Sequence, residues 1–118
     1  MRRNKYNARP TVYNGVRYAS KAEAERALSL DIMLQAGEVL DWIGQPTTRL
    51  GVPENVYRPD FLVIPLTGRP WYEDVKGRET AKFRRDKKLW AAYGRLELRI
   101  ITGARVVEVI EGGTSNTN

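Results

Sequence analysis

The sequence predicts an α/β or α+β fold, with one central mixed β-sheet flanked by helices. Three observations predict it: an Asn-Gly hairpin near the N-terminus, two helical segments that end at glycines, and short β-prone segments between and after them. The 118 residues suit one domain with its own hydrophobic core. We expect that domain to span 11–111, between a flexible basic arm at 1–10 and a disordered tail at 112–118.

The first elements are a hairpin at 11–18 and a helix. Asn14 and Gly15 separate two β-prone triplets and suit a type I′ turn. Ser20 and Glu23 have the spacing of a capping box, and Gly37 is the stop signal for a helix that runs to about residue 36. Apolar residues form two stripes on this helix, which predicts burial on two sides, against the sheet and against the hairpin or a second subunit; the stripes are Ala27, Leu30, Leu34 and Leu28, Ile32, Ala36.

The remaining elements are mostly strands. A second, amphipathic helix is predicted over 80–93, ended by Gly94. Strands are predicted over 38–43, 47–50, 57–64, 71–76 and 96–101, and 104–110 reads as a short strand or helix. The strands 57–64 and 71–76 are close enough in sequence to pair as an antiparallel hairpin around the turn at 66–70.

Composition narrows the chemistry. The chain has 20 Lys and Arg against 14 Asp and Glu, a net charge of +6, which favours a polyanionic partner such as nucleic acid over a basic protein with no such partner. It contains no Cys and no His, which excludes disulfides, Cys/His zinc sites and an imidazole base. An enzyme built from this chain must use carboxylates, lysine, hydroxyls or a hard metal ion.

Nothing in the sequence predicts membrane insertion or export. No apolar run approaches the length of a membrane span, and no apolar segment follows the charged first residues as it would in a signal peptide. We therefore expect a cytoplasmic protein, in the host cytoplasm if the chain is phage-encoded.

Two acidic positions on the predicted hairpin carry the chemical signal. Side chains alternate along a strand, so Asp74 and Lys76 share a face while Val75 points to the core. Asp60 on the neighbouring strand can reach the same place, and two carboxylates with the carbonyl of Val75 would suit Mg²⁺ or Mn²⁺. Lys76 would then stabilise charge on the reacting phosphate or help to orient the nucleophile. The alternative is that Asp74 and Lys76 form an exposed ion pair that contributes little to stability, and that Asp60 is an ordinary turn residue.

These motifs resemble those of the PD-(D/E)XK nuclease superfamily, and most closely its small phage-encoded and Holliday junction resolvase-like members. Pro59-Asp60 matches the PD element and Asp74-Val75-Lys76 the (D/E)XK element, within a likeness over roughly residues 4–102. The resemblance implies a restriction-endonuclease-like core in which Asp60 and Asp74 bind metal and Lys76 is catalytic. It also implies that Glu23 is the helix acid that completes metal binding.

Other residues near these motifs have alternative interpretations. Periodicity does not choose between Glu23 and Glu25, and Glu23 has the alternative of serving only as the N-cap partner of Ser20. Glu73 points away from Asp74 on a regular strand. Gln45 is either a polar neighbour of the metal or a turn residue before Pro46.

Basic residues beside these motifs predict contact with a phosphate backbone rather than base reading. They lie in the arm and on the second helix, where the alternatives are a solvated terminus and a solvated helix face; the residues are Arg2, Arg3, Lys5, Lys82, Arg84, Arg85, Lys87 and Lys88.

The function that follows is a divalent-metal-dependent DNA endonuclease, selective for branched or junction DNA and possible as a homodimer. The alternatives are an exonuclease or nicking nuclease and a non-catalytic DNA-binding protein on the same scaffold. The sequence does not choose between DNA and RNA as the substrate, between substrate structures, or between Mg²⁺ and Mn²⁺ as the metal.

Overall fold

The structure, a computed structural model, describes residues 9–113 and has an α+β architecture. Its elements in chain order are β1 Thr11–Tyr13, β2 Val16–Tyr18, α1 Lys21–Gln35, β3 Val39–Gly44, β4 Thr48–Arg49, β5 Val56–Tyr57, β6 Phe61–Pro65, β7 Trp71–Val75, α2 Ala81–Tyr93, β8 Leu98–Thr102 and β9 Arg105–Ile110. Most of the arm predicted at 1–10, including Arg2, Arg3 and Lys5, lies outside the described residues.

The predicted hairpin and first helix are confirmed. Asn14 and Gly15 have φ of 52° and 80°, the left-handed geometry that a type I′ turn requires at both central positions. Ser20 caps α1, because its hydroxyl accepts a hydrogen bond from the Glu23 N–H at 3.1 Å. Gly37 follows the helix with φ of 81°, the conformation that glycine adopts at lowest strain.

The central sheet is mixed, as predicted. Its five strands lie in the order β3-β6-β7-β8-β9, and all neighbours are antiparallel except β7 and β8. The predicted pairing of the two motif-bearing strands is confirmed, with Phe61 opposite Glu73. β7 and β8 are parallel because α2 forms the connection between them, which returns the chain to the same end of the sheet.

Each face of the sheet packs against one helix. The first hydrophobic core lies between the sheet, α1 and the β1–β2 hairpin, and is formed by residues such as Leu30, Phe61 and Val63. The second core lies under α2 and includes Trp90 and Leu98. Alternation along the strands assigns successive residues to these two layers, so adjacent residues of β7 enter different environments.

The strand predicted over 57–64 is wrong as one element. It is divided into β5, which pairs with β4 in a separate small sheet, and β6, which belongs to the central sheet. Pro59 lies at the break and has no N–H for a ladder. The break frees the backbone at Asp60 to turn its side chain toward β7.

The expectation that α1 is buried on two sides is wrong for the single chain. Ala27 and Leu30 are buried, whereas Leu28 and Ile32 are 44% and 57% exposed. The helix forms the outer layer over one face of the sheet, so only one of its stripes meets a partner. The predicted homodimer stays a prediction.

The C-terminal end of the described chain packs against α2. Gly112 is buried, and a Cβ placed there would lie 2.3 Å from the carbonyl oxygen of Gly94. The rest of the tail predicted at 112–118, beyond Gly113, lies outside the described residues. Neither helix among residues 9–113 is long and apolar enough to cross a membrane.

Candidate active site

The break between β5 and β6 places Asp60 beside the end of β7. The Asp60 N–H donates to the Glu73 carbonyl at 2.9 Å, and its carboxylate Oδ2 accepts from the Val75 N–H at 2.7 Å. Because the N–H and C=O of a residue in an extended strand point to the same side, the Val75 carbonyl also faces the Asp60 side. The two motifs therefore meet at one end of the sheet.

Asp74 and Lys76 lie next to Asp60 at this end. The Lys76 Nζ is 3.8 Å from Asp74 Oδ2 and 4.5 Å from the centre of the Phe83 ring. Asp74 is 3% exposed, so the alternative of an exposed surface ion pair does not describe it. The Tyr57 hydroxyl also donates to Asp74 Oδ2. Sequence reasoning missed Tyr57, whose only signal was its place two residues before Pro59.

Glu23 joins the three motif residues from the first turn of α1. Burial raises its pKa, a backbone hydrogen bond at Ala19 lowers it, and the charge of Asp74 raises it again. Glu23 therefore serves the helix cap and also lies within electrostatic reach of the acidic cluster. Glu25, the other candidate, is exposed and lies 3.9 Å from Lys21 in an ion pair along the helix.

Both motif carboxyls have strongly raised pKa values. Burial is the main cause for Asp60, whose pKa rises to about 7, with the charge of Glu23 adding to it. Burial is also the main cause for Asp74, whose pKa rises to about 6, while Lys76 acts in the opposite direction. Ionised carboxylates here lack the compensation that buried charges need, so a proton or a bound cation would stabilise them.

A cleft of about 340 Å³ opens onto these carboxylates. Tyr57 and Arg58 form one wall, and the start of α2 forms the other with Lys82 and Phe83. Asp86 also lines the cleft; it is buried, bonded to Lys82 Nζ at 2.9 Å, and contributes to the raised pKa of Asp74. Sequence reasoning placed α2's acid on no particular face, because a lone Asp in a basic helix carries no pattern.

The donor chemistry suits a hard cation, although the side chains are not arranged as ligands. No group of three or more Asp, Glu, His or Cys residues within 9–113 is close enough to hold a metal ion. Asp60 and Asp74 instead have hydrogen bonds to Val75 and Tyr57. Carboxylate and carbonyl oxygens are nevertheless the ligands that Mg²⁺ and Mn²⁺ prefer.

Glu73 has a different environment from its neighbour Asp74. Its side chain is fully buried on the α1 face and accepts two hydrogen bonds of 2.7 Å from the Arg26 guanidinium. The Trp71 indole N–H donates to the same carboxylate at 2.9 Å. The pair joins α1 to β7, and sequence reasoning missed it because its partners are 47 residues apart.

Gln45 follows β3 in a left-handed conformation with φ of 54°, and its N–H donates to the Asp60 carbonyl at 2.8 Å. It is thus a turn residue that also supports the Asp60 backbone. Its side chain is exposed. A role for that side chain near a metal stays a prediction.

The basic residues of α2 divide into two groups. Lys82, Arg84 and Lys87 form ion pairs with acidic neighbours, Lys87 with both Glu79 and Glu108. Arg85 and Lys88 are exposed and form no ion pair with any residue that the structure describes. The predicted continuous row of positive charge is therefore partly neutralised within the protein.

Comparison with known proteins identifies the family. The family described as a protein of unknown function (DUF1064) matches residues 3–108, so the chain belongs to that family. No curated protein and no solved structure matches the chain.

Proposed function

We propose that this protein is a divalent-metal-dependent DNA endonuclease with a restriction-endonuclease-like core. The observation that carries the proposal is the meeting of Asp60, Asp74 and Lys76 in one cleft, where the half-buried carboxyl of Asp60 has a pKa of about 7 and the buried carboxyl of Asp74 one of about 6. Strongly perturbed acids in a cleft are typical of functional sites, because a purely structural position would have compensated them.

The cleft residues, together with Glu23 and Val75 beside them, support specific roles. Asp60, Asp74, the Val75 carbonyl and Glu23 would hold Mg²⁺ or Mn²⁺, which when bound polarises the scissile phosphate and lowers the pKa of its water. Binding requires Asp74 to release or share its contacts with Tyr57 and Lys76. Lys76 would stabilise negative charge that develops on the phosphate.

DNA is the substrate that the charge pattern favours. Arg58 and Lys82 line the cleft, and Arg85 and Lys88 extend positive charge along the exposed face of α2. These contacts would hold the backbone without reading bases, which agrees with selection by DNA structure rather than by sequence. Branched or junction DNA is the substrate that the resemblance to junction-cleaving enzymes implies.

A cleavage assay tests the proposal directly. The purified protein would be incubated with supercoiled plasmid, linear duplex, single strand and a four-way junction, in Mg²⁺, Mn²⁺ or chelator. We expect metal-dependent cutting, with Asp74→Ala and Lys76→Ala at least about 10³-fold slower because each removes a group that acts on the reacting phosphate.

The matched control is Asp41→Asn, which removes an exposed carboxylate on β3 and should leave the rate unchanged. DNA binding and thermal melting should be retained in all three variants. Full activity in a well-folded Asp74→Ala protein would show that the site is assigned wrongly.

A non-catalytic DNA-binding protein is the second candidate. Two observations favour it. The carboxylates of Asp60 and Asp74 already accept hydrogen bonds from Val75 and Tyr57, and the described part of the chain has no group of three acids that could bind a metal ion. Salt-dependent binding to DNA without cutting in any metal would support this candidate.

A further inference from the structure

The first turn of α1 is connected to β7 by a buried charge pair. Arg26 lies one turn after Glu23 on the same side of the helix, and its side chain is 8% exposed. Its guanidinium donates two hydrogen bonds of 2.7 Å each to the Glu73 carboxylate. A bidentate pair of this kind restrains both position and orientation, which a single hydrogen bond does not.

The two ends of this pair are next to the site on both elements. Glu73 immediately precedes Asp74 on β7, and Arg26 is three residues after Glu23 on α1. Glu23 is half-buried and faces other carboxylates, which by itself favours movement of the side chain and its helix turn away from them. Some contact must hold the turn in place against this repulsion.

We propose that the buried ion pair between Arg26 and Glu73 is a brace that holds Glu23 within electrostatic reach of Asp60 and Asp74. Both members are positioning residues: their side chains bond each other rather than Asp60 or Lys76, and they act by fixing the distance between α1 and β7. The Trp71 indole strengthens the brace by fixing Glu73 on its strand. The importance of this for catalysis rests on the proposed nuclease function, whereas the mechanical coupling does not.

Thermal unfolding of Glu23→Gln in two backgrounds tests the coupling without any need for cleavage. In the wild-type background the substitution removes a charge that the brace holds against Asp60 and Asp74, so the melting temperature should rise. In the Arg26→Lys background the fork is lost and the turn can relax, so the rise should be smaller by about 4 °C or more. The measurements are made at about pH 8.5, where Asp60 and Asp74 are ionised, at low salt and without divalent ions.

Arg49→Lys is the control background. Arg49 lies on β4 in the separate small sheet, and its guanidinium donates to the Pro53 carbonyl at 2.8 Å. The substitution should leave the shift caused by Glu23→Gln as in the wild type. Equal shifts in the Arg26→Lys and wild-type backgrounds would overturn the proposal.

A second pair of variants covers the case that Arg26→Lys unfolds. Arg26→Met with Glu73→Met replaces the charges by side chains of similar volume and leaves no unpaired charge in the core. The shift caused by Glu23→Gln should fall in this background as well, and an unchanged shift would overturn the proposal.

Cleavage rates then report the catalytic consequence. If Glu23 acts through the brace, Arg26→Lys lowers kcat rather than raising KM, and adds little further loss to Glu23→Gln. Additive losses would overturn the positioning role. A protein that cuts no DNA but retains the melting coupling would contradict the nuclease and leave the brace, so the two proposals fail separately.

Discussion

Glu73 and Asp74 are adjacent acids on one strand, both at most 3% exposed, and they differ in the layer they face and in the groups they contact. Glu73 points toward α1, where a guanidinium and an indole N–H donate three hydrogen bonds to its carboxylate. Asp74 points toward α2, where its neighbours are a tyrosine hydroxyl, a lysine at 3.8 Å and further acids. The pleat of β7 alone separates these two environments.

The contrast shows how the candidate site differs from a buried ion pair. Burial by itself identifies neither, because both carboxyls are buried. The difference is compensation: Glu73 has a complete and rigid set of donors, whereas burial raises the pKa of Asp74 to about 6. An under-compensated acid that opens onto a cleft can bind a cation, and a fully paired one cannot.

Replacing each of the two acids by its amide should have opposite effects on stability, and this is the largest expected difference between them. Glu73→Gln leaves the Arg26 guanidinium buried without its counter-charge, so the free energy of unfolding should fall by about 3 kcal/mol. Asp74→Asn removes a charge that Tyr57 and Lys76 compensate only in part, so unfolding at about pH 8 without metal should require the same or more free energy. Urea denaturation of both variants measures the two effects.

The control for this pair is Glu79→Gln, which removes an exposed acid from surface ion pairs with Arg84 and Lys87 and should change the free energy of unfolding by under about 1 kcal/mol. A loss for Asp74→Asn as large as that for Glu73→Gln would mean that Asp74 is as well compensated as its neighbour.

The pH dependence of stability tests the raised pKa of the Asp60 carboxyl. Its pKa rises from 3.8 to about 7, so the folded protein binds more protons than the unfolded chain between these values. Stability from this group is full below the unfolded pKa and is lost as the pH rises through the folded one. The metal-free protein should lose on the order of 2 kcal/mol between about pH 4 and pH 8.

Asp60→Asn should reduce this pH dependence to the part that the raised pKa of Asp74 contributes, and the exposed-site variant Asp41→Asn should retain all of it. Mg²⁺ added at high pH should restore stability to the wild-type protein by binding the folded state. A wild-type slope in Asp60→Asn would show that burial of this carboxyl is not its cause.

The smallest expected effect concerns paired and unpaired charge on the surface of α2. Arg85 and Lys88 form no ion pair within the described chain, whereas Lys87 contacts Glu79 at 2.7 Å and Glu108 at 3.0 Å. Replacing both unpaired residues by Ala should reduce the slope of log affinity against log salt by nearly 2. Lys87→Ala should reduce it by well under 1, since its charge is already neutralised. Titration of a fluorescent duplex at several salt concentrations gives both slopes; equal effects per charge would contradict the distinction.

The sequence by itself determined the local elements and the candidate residues of the site. The turn at Asn14 and Gly15, the cap at Ser20 and the stop at Gly37 depend on backbone preferences of a few neighbouring residues, so they could be predicted and are confirmed. Asp60, Asp74 and Lys76 could be selected because two strands close in sequence pair as neighbours.

Only the tertiary structure decided which charges are compensated. The contacts of Arg26 with Glu73 and of Tyr57 with Asp74 join residues 47 and 17 positions apart. The burial of Asp86 likewise depends on how α2 lies over the sheet. A periodic pattern identifies the apolar face of an element, but the partner of a buried charge depends on where other elements pack. The free energy of these charges is therefore a property of the assembled layers.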